Sequence, residues 1–265
     1  MRTIRVAGLQ LRPGGVENTV NRALRLLESA GKREVEVACL PEAWPHTTPY
    51  LELEAATEAY DAIVSSLSRV AREYGMWIAA GGLYKQDGDA LKIVCPIISD
   101  SGDVVGEQEK VHLFRVERQL FQRGQKLNVF NIAGVKTGIL ICHDIVYPEA
   151  ARVLAIKGAE LILHPSRIVS EGVGVWRQYV KVRSVENRIP IVAANIYLRR
   201  LFGGGSIITG LRQSRRGVVY PISLASVGAG EKLMVADMEL DAIAGAREER
   251  LANRLPSAYM ELISA

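Results

Sequence analysis

The stretch Gly138–Leu154, GILICHDIVYPEAARVL, sets Cys142 beside His143 at the end of an apolar run. A thiol attacks as its thiolate, so a catalytic cysteine needs a base within reach. His143 is poorly placed for that role, because successive side chains on an extended chain point to opposite faces. Two other stretches offer the missing groups. VACLPEAWP puts Glu42 just past the apolar run Val35–Leu40, and GEQEKVHLF puts Lys110 just past Val104–Gln108, as Cys142 lies just past Lys136–Ile141. Open α/β sheets carry ligand sites at the carboxyl ends of their strands. A carboxylate in a desolvated pocket can take the thiol proton, a lysine ammonium can stabilise an oxyanion, and a backbone N–H at the turn after the nucleophile can be a second donor.

Taken singly, each residue has a plainer reading. Free cysteine behaves mainly as a small hydrophobe, a glutamate after proline as a loop or cap residue, and a lysine at a strand end as a solvated charge. Their common position at strand ends is what makes them a candidate site, since joint geometry is the test. A metal centre built from His112, His143, His164, Cys142 and Asp144 has no Cys-x-x-Cys or His-x-x-x-His spacing to support it. The glycines at 203–205 lack the strand and helix that frame a phosphate loop and read as a turn before Ser206–Thr209.

The elements that must position these residues are legible in the pattern. Short β-branched runs recur at Ile4–Leu9, Val35–Leu40, Trp77–Ala80, Lys92–Ile98, Val104–Gln108, Asn128–Ile132, Lys136–Ile141, Leu161–His164, Ile191–Asn195, Ser206–Thr209, Gly217–Tyr220 and Lys232–Ala236. Helical spacing of apolar residues marks Glu17–Ala30, Ala55–Tyr74, Pro148–Lys157 and Val175–Arg188. Several runs are continuously apolar, as strands buried on both faces require. The expected class is therefore α/β, with two packed sheets and helices outside. No linker divides residues 1–265, which read as one domain, with a helical or irregular segment from about 240 to 265 as a candidate arm.

The trio Leu40-Pro41-Glu42, Glu109-Lys110-Val111-His112-Leu113 and Ile141-Cys142-His143-Asp144, in that order, resembles the nitrilase, or carbon–nitrogen hydrolase, superfamily. The likeness continues through LILHPSRI, Glu186-Asn187, Asn195 and GGGSIIT, and so runs over nearly the whole chain. It implies a four-layer α-β-β-α sandwich that pairs into a homodimer, and cofactor-independent hydrolysis of non-peptide C–N bonds. By position, Glu42 would be general base and then acid, Lys110 the oxyanion stabiliser and Cys142 the nucleophile. The match also makes Glu117 a substrate-positioning or proton-relay residue. In this reading His143 contributes its backbone N–H, not its imidazole, to the oxyanion hole. Assembly would run through helices such as Ala150–Lys157 and Val175–Arg188.

Departures from the pattern bear on substrate. His143 stands where an aromatic residue is frequent, and Ile145 and Val146 are apolar where relatives acting on N-carbamoyl-D-amino acids carry arginines. An amidase acting on a small amide through a thioester is the favoured expectation. N-carbamoyl hydrolysis, nitrile hydrolysis, acyl transfer or a noncatalytic binding module are the alternatives. The loop EAWPHTTPYLE, with Trp44, His46 and Tyr50, and the segment bearing His164, Ser166 and Arg167 are the expected substrate contacts.

Bulk composition narrows the partners. With 265 residues, 48% hydrophobic and 23% charged, the chain can bury a large core. Its net charge of +4 spreads 33 basic among 29 acidic residues, which gives no basic patch that would suggest nucleic acid. No apolar run approaches a membrane span, and MRTIRVAGLQL does not resemble a signal peptide. Three cysteines, Cys39, Cys95 and Cys142, each in an apolar segment, fit a reduced, cytoplasmic protein.

Overall fold

The structure, a computed structural model, describes residues 2–48 and 50–261. Its first half runs β1 (Thr3–Gln10), α1 (Val16–Gly31), β2 (Val37–Cys39), α2 (Leu53–Glu58), α3 (Tyr60–Tyr74), β3 (Trp77–Ala79), β4 (Leu83–Asp87), β5 (Ala90–Ile98), β6 (Val104–Glu109) and α4 (Glu117–Leu120). The second half runs β7 (Val129–Ile132), β8 (Val135–Ile139), α5 (Pro148–Ile156), β9 (Leu161–Pro165), α6 (Val173–Asn187), β10 (Ile191–Ala194), β11 (Tyr197–Leu198), β12 (Phe202–Gly203), β13 (Ile207–Gln213), β14 (Val219–Ser226), β15 (Lys232–Glu239) and α7 (Ala244–Ala252).

Seven strands form one sheet in the order β15-β1-β2-β3-β5-β4, with β6 pairing on β5. Six form the other, in the order β14-β13-β10-β9-β8-β7. Strands β1, β2 and β3 are mutually parallel, as are β8, β9 and β10, and antiparallel strands flank both trios.

The two-residue period of a strand explains the layering. Val37 and Cys39 of β2 enter a core shared with Leu161 and Leu163 of β9 and with Val192 and Ala194 of β10. The alternate residue Ala38 packs beneath α1 and α3 with Leu27 and Leu67. On the other sheet, Ile162, Ile191 and Ala193 pack beneath α5 and α6 with Leu154, Trp176 and Val180. Three apolar layers therefore separate four layers of secondary structure: helix, sheet, sheet, helix. Both sheets are buried on both faces, which is why their central strands carry continuous apolar runs.

Two expectations change in detail. The helix expected over Ala55–Tyr74 is two helices, α2 and α3, separated at Ala59. Thr57 Oγ1 donates back to the carbonyls of Leu53 and Glu54, a side-chain contact that competes with helix continuation. Strand β4 was absent from the sequence reading because Lys85, Gln86 and Asp87 are polar and reach solvent at its open end, where a Gly88 turn at φ +58 returns the chain into β5. The segment from 240 onward is not wholly an arm. Ile243 and Ala246 pack on Leu211 and Val219, and buried Arg247 donates to the Arg188 carbonyl at 3.5 Å. Residues 262–265 of the expected arm lie outside the described residues. Among the described residues no helix is long and apolar enough to cross a membrane, and no cluster of three or more His, Cys, Asp or Glu could hold a metal ion.

Candidate active site

Glu42 leaves the end of β2 through Leu40 and Pro41, and its backbone N–H donates to the Ser166 carbonyl just beyond β9. Gly82 packs beside it: a β-carbon there would come within 2.8 Å of Glu42 Cγ and 3.2 Å of Ile141 Cγ2. Lys110 directly follows β6. Its N–H donates to Ile93 O and its carbonyl accepts from Gly124 N–H, so the main chain is held on both sides. Beyond β8, Leu140 and Ile141 carry the chain to a 3-10 turn, Cys142–Val146. Cys142 opens that turn at φ +46, a left-handed conformation a non-glycine residue holds only when its surroundings impose it.

These three strand ends and α4 converge. Lys110 Nζ donates to Glu42 Oε1 at 2.7 Å and to Glu117 Oε1 at 2.9 Å, with Glu117 Oε2 also in ion-pair range at 2.8 Å. Lys110, Glu42 and Glu117 are 1%, 3% and 2% exposed, whereas Cys142 keeps part of its surface open to solvent. Glu117 is saturated as an acceptor: Tyr50 Oη–H donates to Oε1 at 2.8 Å and Phe114 N–H to Oε2 at 2.7 Å. That arrangement anchors Lys110 and leaves the carboxylate little freedom to shuttle protons. An ammonium has three N–H donors, and two of the three are directed at the carboxylates. The third is free to meet a substrate oxygen.

Electrostatics match the geometry. Burial pushes the Glu42 carboxyl above the ordinary carboxylate range; the Lys110 charge pulls it back and the Glu117 charge adds to the push. Burial, then the Glu42 charge, drives the Cys142 thiol well up, with Lys110 opposing. Burial alone would lower Lys110, but Glu42, Cys142 and Glu117 together hold it well above its usual value. The resting site is thus an ammonium, a protonated thiol and a carboxylate with raised proton affinity, a set in which deprotonating the nucleophile requires a neighbouring base.

One further carboxylate ties the site together. Buried Asp144 accepts from Ile141 N–H at 2.9 Å through Oδ2, and through Oδ1 from His112 N–H at 2.8 Å, with His112 Nδ1 at 2.9 Å. It therefore spans the turn bearing Cys142 and the strand exit bearing Lys110. In the sequence Asp144 stands out only as the end of the Ile141-Cys142-His143-Asp144 motif and as one of five residues without metal-ligand spacing. The signal for more was its place beside Cys142, but its partner lies 32 residues away.

The remaining expected residues divide. His143 sits in the first turn of the 3-10 helix, where backbone N–H groups lack intrahelical partners. Its imidazole packs between Phe114 and Tyr147, with ring centroids 4.9 and 5.4 Å away, and burial, then the Lys110 charge, lowers its proton affinity. Tyr50 reaches the site through Glu117. Trp44 does not face substrate: it is wholly buried beneath the first sheet and its indole N–H donates to Ala80 O at 2.9 Å. His164 and Ser166 are likewise internal. His164 Nε2 accepts from Trp176 Nε1 and lies 2.9 Å from Ser166 Oγ, while Nδ1 stands 2.7 Å from Leu140 O.

Arg167 acts on the Glu42 loop. Nη1 donates to the carbonyls of Ala43 and His46, both at 2.9 Å, Nη2 to Thr47 O at 2.7 Å, and the guanidinium stacks on Phe202. Its own carbonyl lies 4.0 Å from Cys142 Sγ. His46 is buried within that loop, with Nδ1 3.5 Å from Glu52 Oε2 and, among the described residues, no hydrogen-bond partner for that nitrogen. The polar and aromatic residues nearest in sequence to the site thus mostly build its walls.

Known proteins share this fold. The sequence profile of the carbon–nitrogen hydrolase family matches residues 3–247. A protein of Pyrococcus abyssi named nitrilase is 32% identical over 200 residues, covering 72% of this chain and 74% of that protein. An omega-amidase of Xenopus tropicalis is 26% identical over 249 residues, covering 87% and 86%. Among solved structures, a carbon–nitrogen hydrolase of Helicobacter pylori G27 superposes with a TM-score of 0.85 at 20% identity over 99% of both chains. An amidase of Nesterenkonia sp. AN1, with the acetamide moiety of fluoroacetamide covalently attached at its active-site cysteine, superposes with a TM-score of 0.83 at 22% identity, over 97% of this chain and 96% of that one. The chain belongs to the carbon–nitrogen hydrolase family, within the nitrilase superfamily.

Proposed function

We propose that this protein is a cysteine-dependent amidase that hydrolyses a small amide through a thioester on Cys142. The observation that carries the reading is the double ion pair on Lys110 Nζ beside a partly accessible thiol held at positive φ. Cys142 Sγ attacks the amide carbon while Glu42 takes the thiol proton. Lys110 and the His143 backbone N–H receive the oxyanion. Glu42 then protonates the leaving nitrogen, the C–N bond breaks, and ammonia or an amine departs. Water enters, gives a proton to Glu42 and adds to the thioester. Collapse breaks the C–S bond, releases the carboxylic acid and returns the proton to the thiol. Similarity to proteins named omega-amidase and amidase supports the choice of an amide.

Intact-protein mass spectrometry on wild type and Cys142→Ala, quenched within seconds of mixing with small amides, ureido compounds and nitriles, tests it. The expected result is an acyl adduct and released ammonia from wild type with amides, and neither from the variant. Ammonia release that survives Cys142→Ala would sink the mechanism. Turnover confined to nitriles would shift the substrate class, a reading kept open by the 32% identical protein named nitrilase.

A homodimer and a reducing, cytoplasmic setting belong to the same proposal. Ile156 on α5 and Val175 and Val182 on α6 leave large apolar side chains in solvent, a surface suited to a second copy. All three cysteines are free thiols, as a reducing compartment favours. Sedimentation equilibrium would show a monomer at all concentrations if the pairing were absent.

A further inference from the structure

Tyr84 stands in β4 opposite Ile93 of β5, whose carbonyl accepts the Lys110 backbone N–H. Strand alternation sends Leu83 beneath the helices of the first sheet and Tyr84 into the layer between the two sheets, with Ala43, Leu113, Phe121 and Ile141. Into the same layer Gly82, two residues earlier, packs on Glu42 and Ile141. The Tyr84 ring lies 6.3 Å from that of Tyr50, nearly parallel to it, and 4.7 Å from that of Phe121. Tyr50 gives its hydroxyl proton to Glu117; the hydroxyl of Tyr84 is not used in that way.

Tyr84 is 3% exposed, yet among the described residues its Oη forms no hydrogen bond. The unpaired side-chain atoms that are sealed from solvent are His46 Nδ1, Arg152 Nη1, Asn187 Oδ1 and Arg188 Nε. The Tyr84 oxygen is not one of them, so it keeps accessible surface while the ring is enclosed. With the ring packed between the sheets, that surface belongs to the cleft that leaves Cys142 accessible. Packing alone would be served by phenylalanine, since the ring contacts need no hydroxyl and a buried hydroxyl without a partner is a cost. Burial, then the Glu42 and Glu117 charges, push the phenol's proton affinity up, with Arg167 and Lys110 opposing. The group is therefore neutral and keeps a proton to donate.

We infer that Tyr84 Oη contacts the substrate and selects amides whose acyl chain carries a hydrogen-bond acceptor oxygen. The inference rests on the amidase reading: an amide that releases ammonia carries nothing else on its nitrogen, so its acyl chain is the part left to reach the hydroxyl. Steady-state ammonia release by wild type and Tyr84→Phe tests it on pairs in which an ether oxygen replaces one methylene: methoxyacetamide against butyramide, β-methoxypropionamide against valeramide, γ-methoxybutyramide against hexanamide. Wild type is expected to favour the ether of at least one pair by about tenfold in kcat/KM, the scale of one hydrogen bond, and Y84F to lose that preference. The variant is expected to unfold at no lower a temperature than wild type, because the hydroxyl it lacks has no protein partner. A lower Tm with equal falls for ether and carbon amides would make Tyr84 structural and overturn the inference. So would a wild type without ether preference, a preference that Y84F keeps, or a Tyr84-dependent preference confined to an oxygen on the amide nitrogen, as in N-methoxyethyl acetamide. If wild type releases ammonia from none of these amides, the amidase reading has failed, and the same compounds are ranked by how well they protect Cys142 from iodoacetamide. An ether preference in protection that Y84F abolishes upholds the role of Tyr84, and its absence overturns it.

Discussion

Lys110 Nζ stands 2.7 Å from Glu42 Oε1 in a space where neither side chain reaches solvent appreciably. The same nitrogen holds Glu117, so the site contains two buried carboxylates on one ammonium. Removing one member of a buried ion pair leaves an uncompensated charge and costs about 3–5 kcal/mol. The two partners are not equivalent. Lys110→Met strands both carboxylates, whereas Glu42→Gln leaves Lys110 paired with Glu117. Urea unfolding at pH 7.5 should therefore show a loss near that range for Lys110→Met and a clearly smaller one for Glu42→Gln, with turnover abolished in both. Equal destabilisation would mean that Glu117 does not hold the lysine charge.

Gly82 faces Glu42 so closely that the smallest substitution is felt at the base. Gly82→Ala places a β-carbon 2.8 Å from Glu42 Cγ and 3.2 Å from Ile141 Cγ2 before relaxation. Overpacking of this kind costs about 1–3 kcal/mol, and displacing a catalytic group by an ångström costs on the order of 100-fold in rate. Steady-state kinetics should show a fall in kcat of that order, with KM altered far less because the lesion is at the base. Unchanged kcat in a folded variant would show that Glu42 has room to give way.

Asp144 is expected to matter as a positioning residue. Its two oxygens accept from Ile141 N–H on one side and His112 N–H on the other, and an amide has only one oxygen. In Asp144→Asn one of these buried donors must face an NH₂ group, at a cost of about 1.5–3 kcal/mol for a charge-assisted bond. Expressed in the transition state, that is about 10–100-fold in kcat. The iodoacetamide labelling rate of Cys142 should change along with kcat, whereas a purely structural role would lower Tm and leave the labelling rate of the folded fraction unchanged.

The strands and the three residues at their ends were legible because both follow from local rules. Alternation along β2 and β9 assigns one face to each core layer, and Glu42, Lys110 and Cys142 lie just past strand-like runs. Glu117 was legible only through resemblance, since Glu-Arg at a helical turn is equally a surface pair. What stayed hidden depends on contacts distant in sequence. Gly82 is constrained by Glu42, forty residues away, and Asp144 by His112. Trp44, His164 and Ser166 show the converse: polar and aromatic residues flanking a site look the same in sequence whether they face substrate or pack behind it. The break at Ala59 and the polar strand β4 were missed because side-chain back-bonding and hairpin pairing leave little mark on hydrophobic periodicity.

His164 gives a prediction about stability and pH. It is buried against Trp176 and Leu140, and burial, the largest influence, lowers its pKa to about 4 from the ordinary 6.5. Trp176 Nε1–H requires an acceptor at Nε2, so the neutral ring carries its proton on Nδ1, toward the Leu140 carbonyl. Between these two pKa values the unfolded chain binds the proton and the folded chain does not, so stability rises with pH. The contribution is fully present above about pH 6.5 and is lost as pH falls toward 4. At 1.36 kcal/mol per unit it amounts to about 3 kcal/mol. Urea unfolding from pH 7 to 4.5 should show this loss in wild type, with a shallower pH slope in His164→Asn even though that variant begins less stable. The ¹⁵N resonances of His164 should report a neutral ring protonated on Nδ1 at pH 5.5. Titration of His164 in the folded protein near pH 6.5 would mean that Trp176 and Leu140 do not hold the ring as the structure shows.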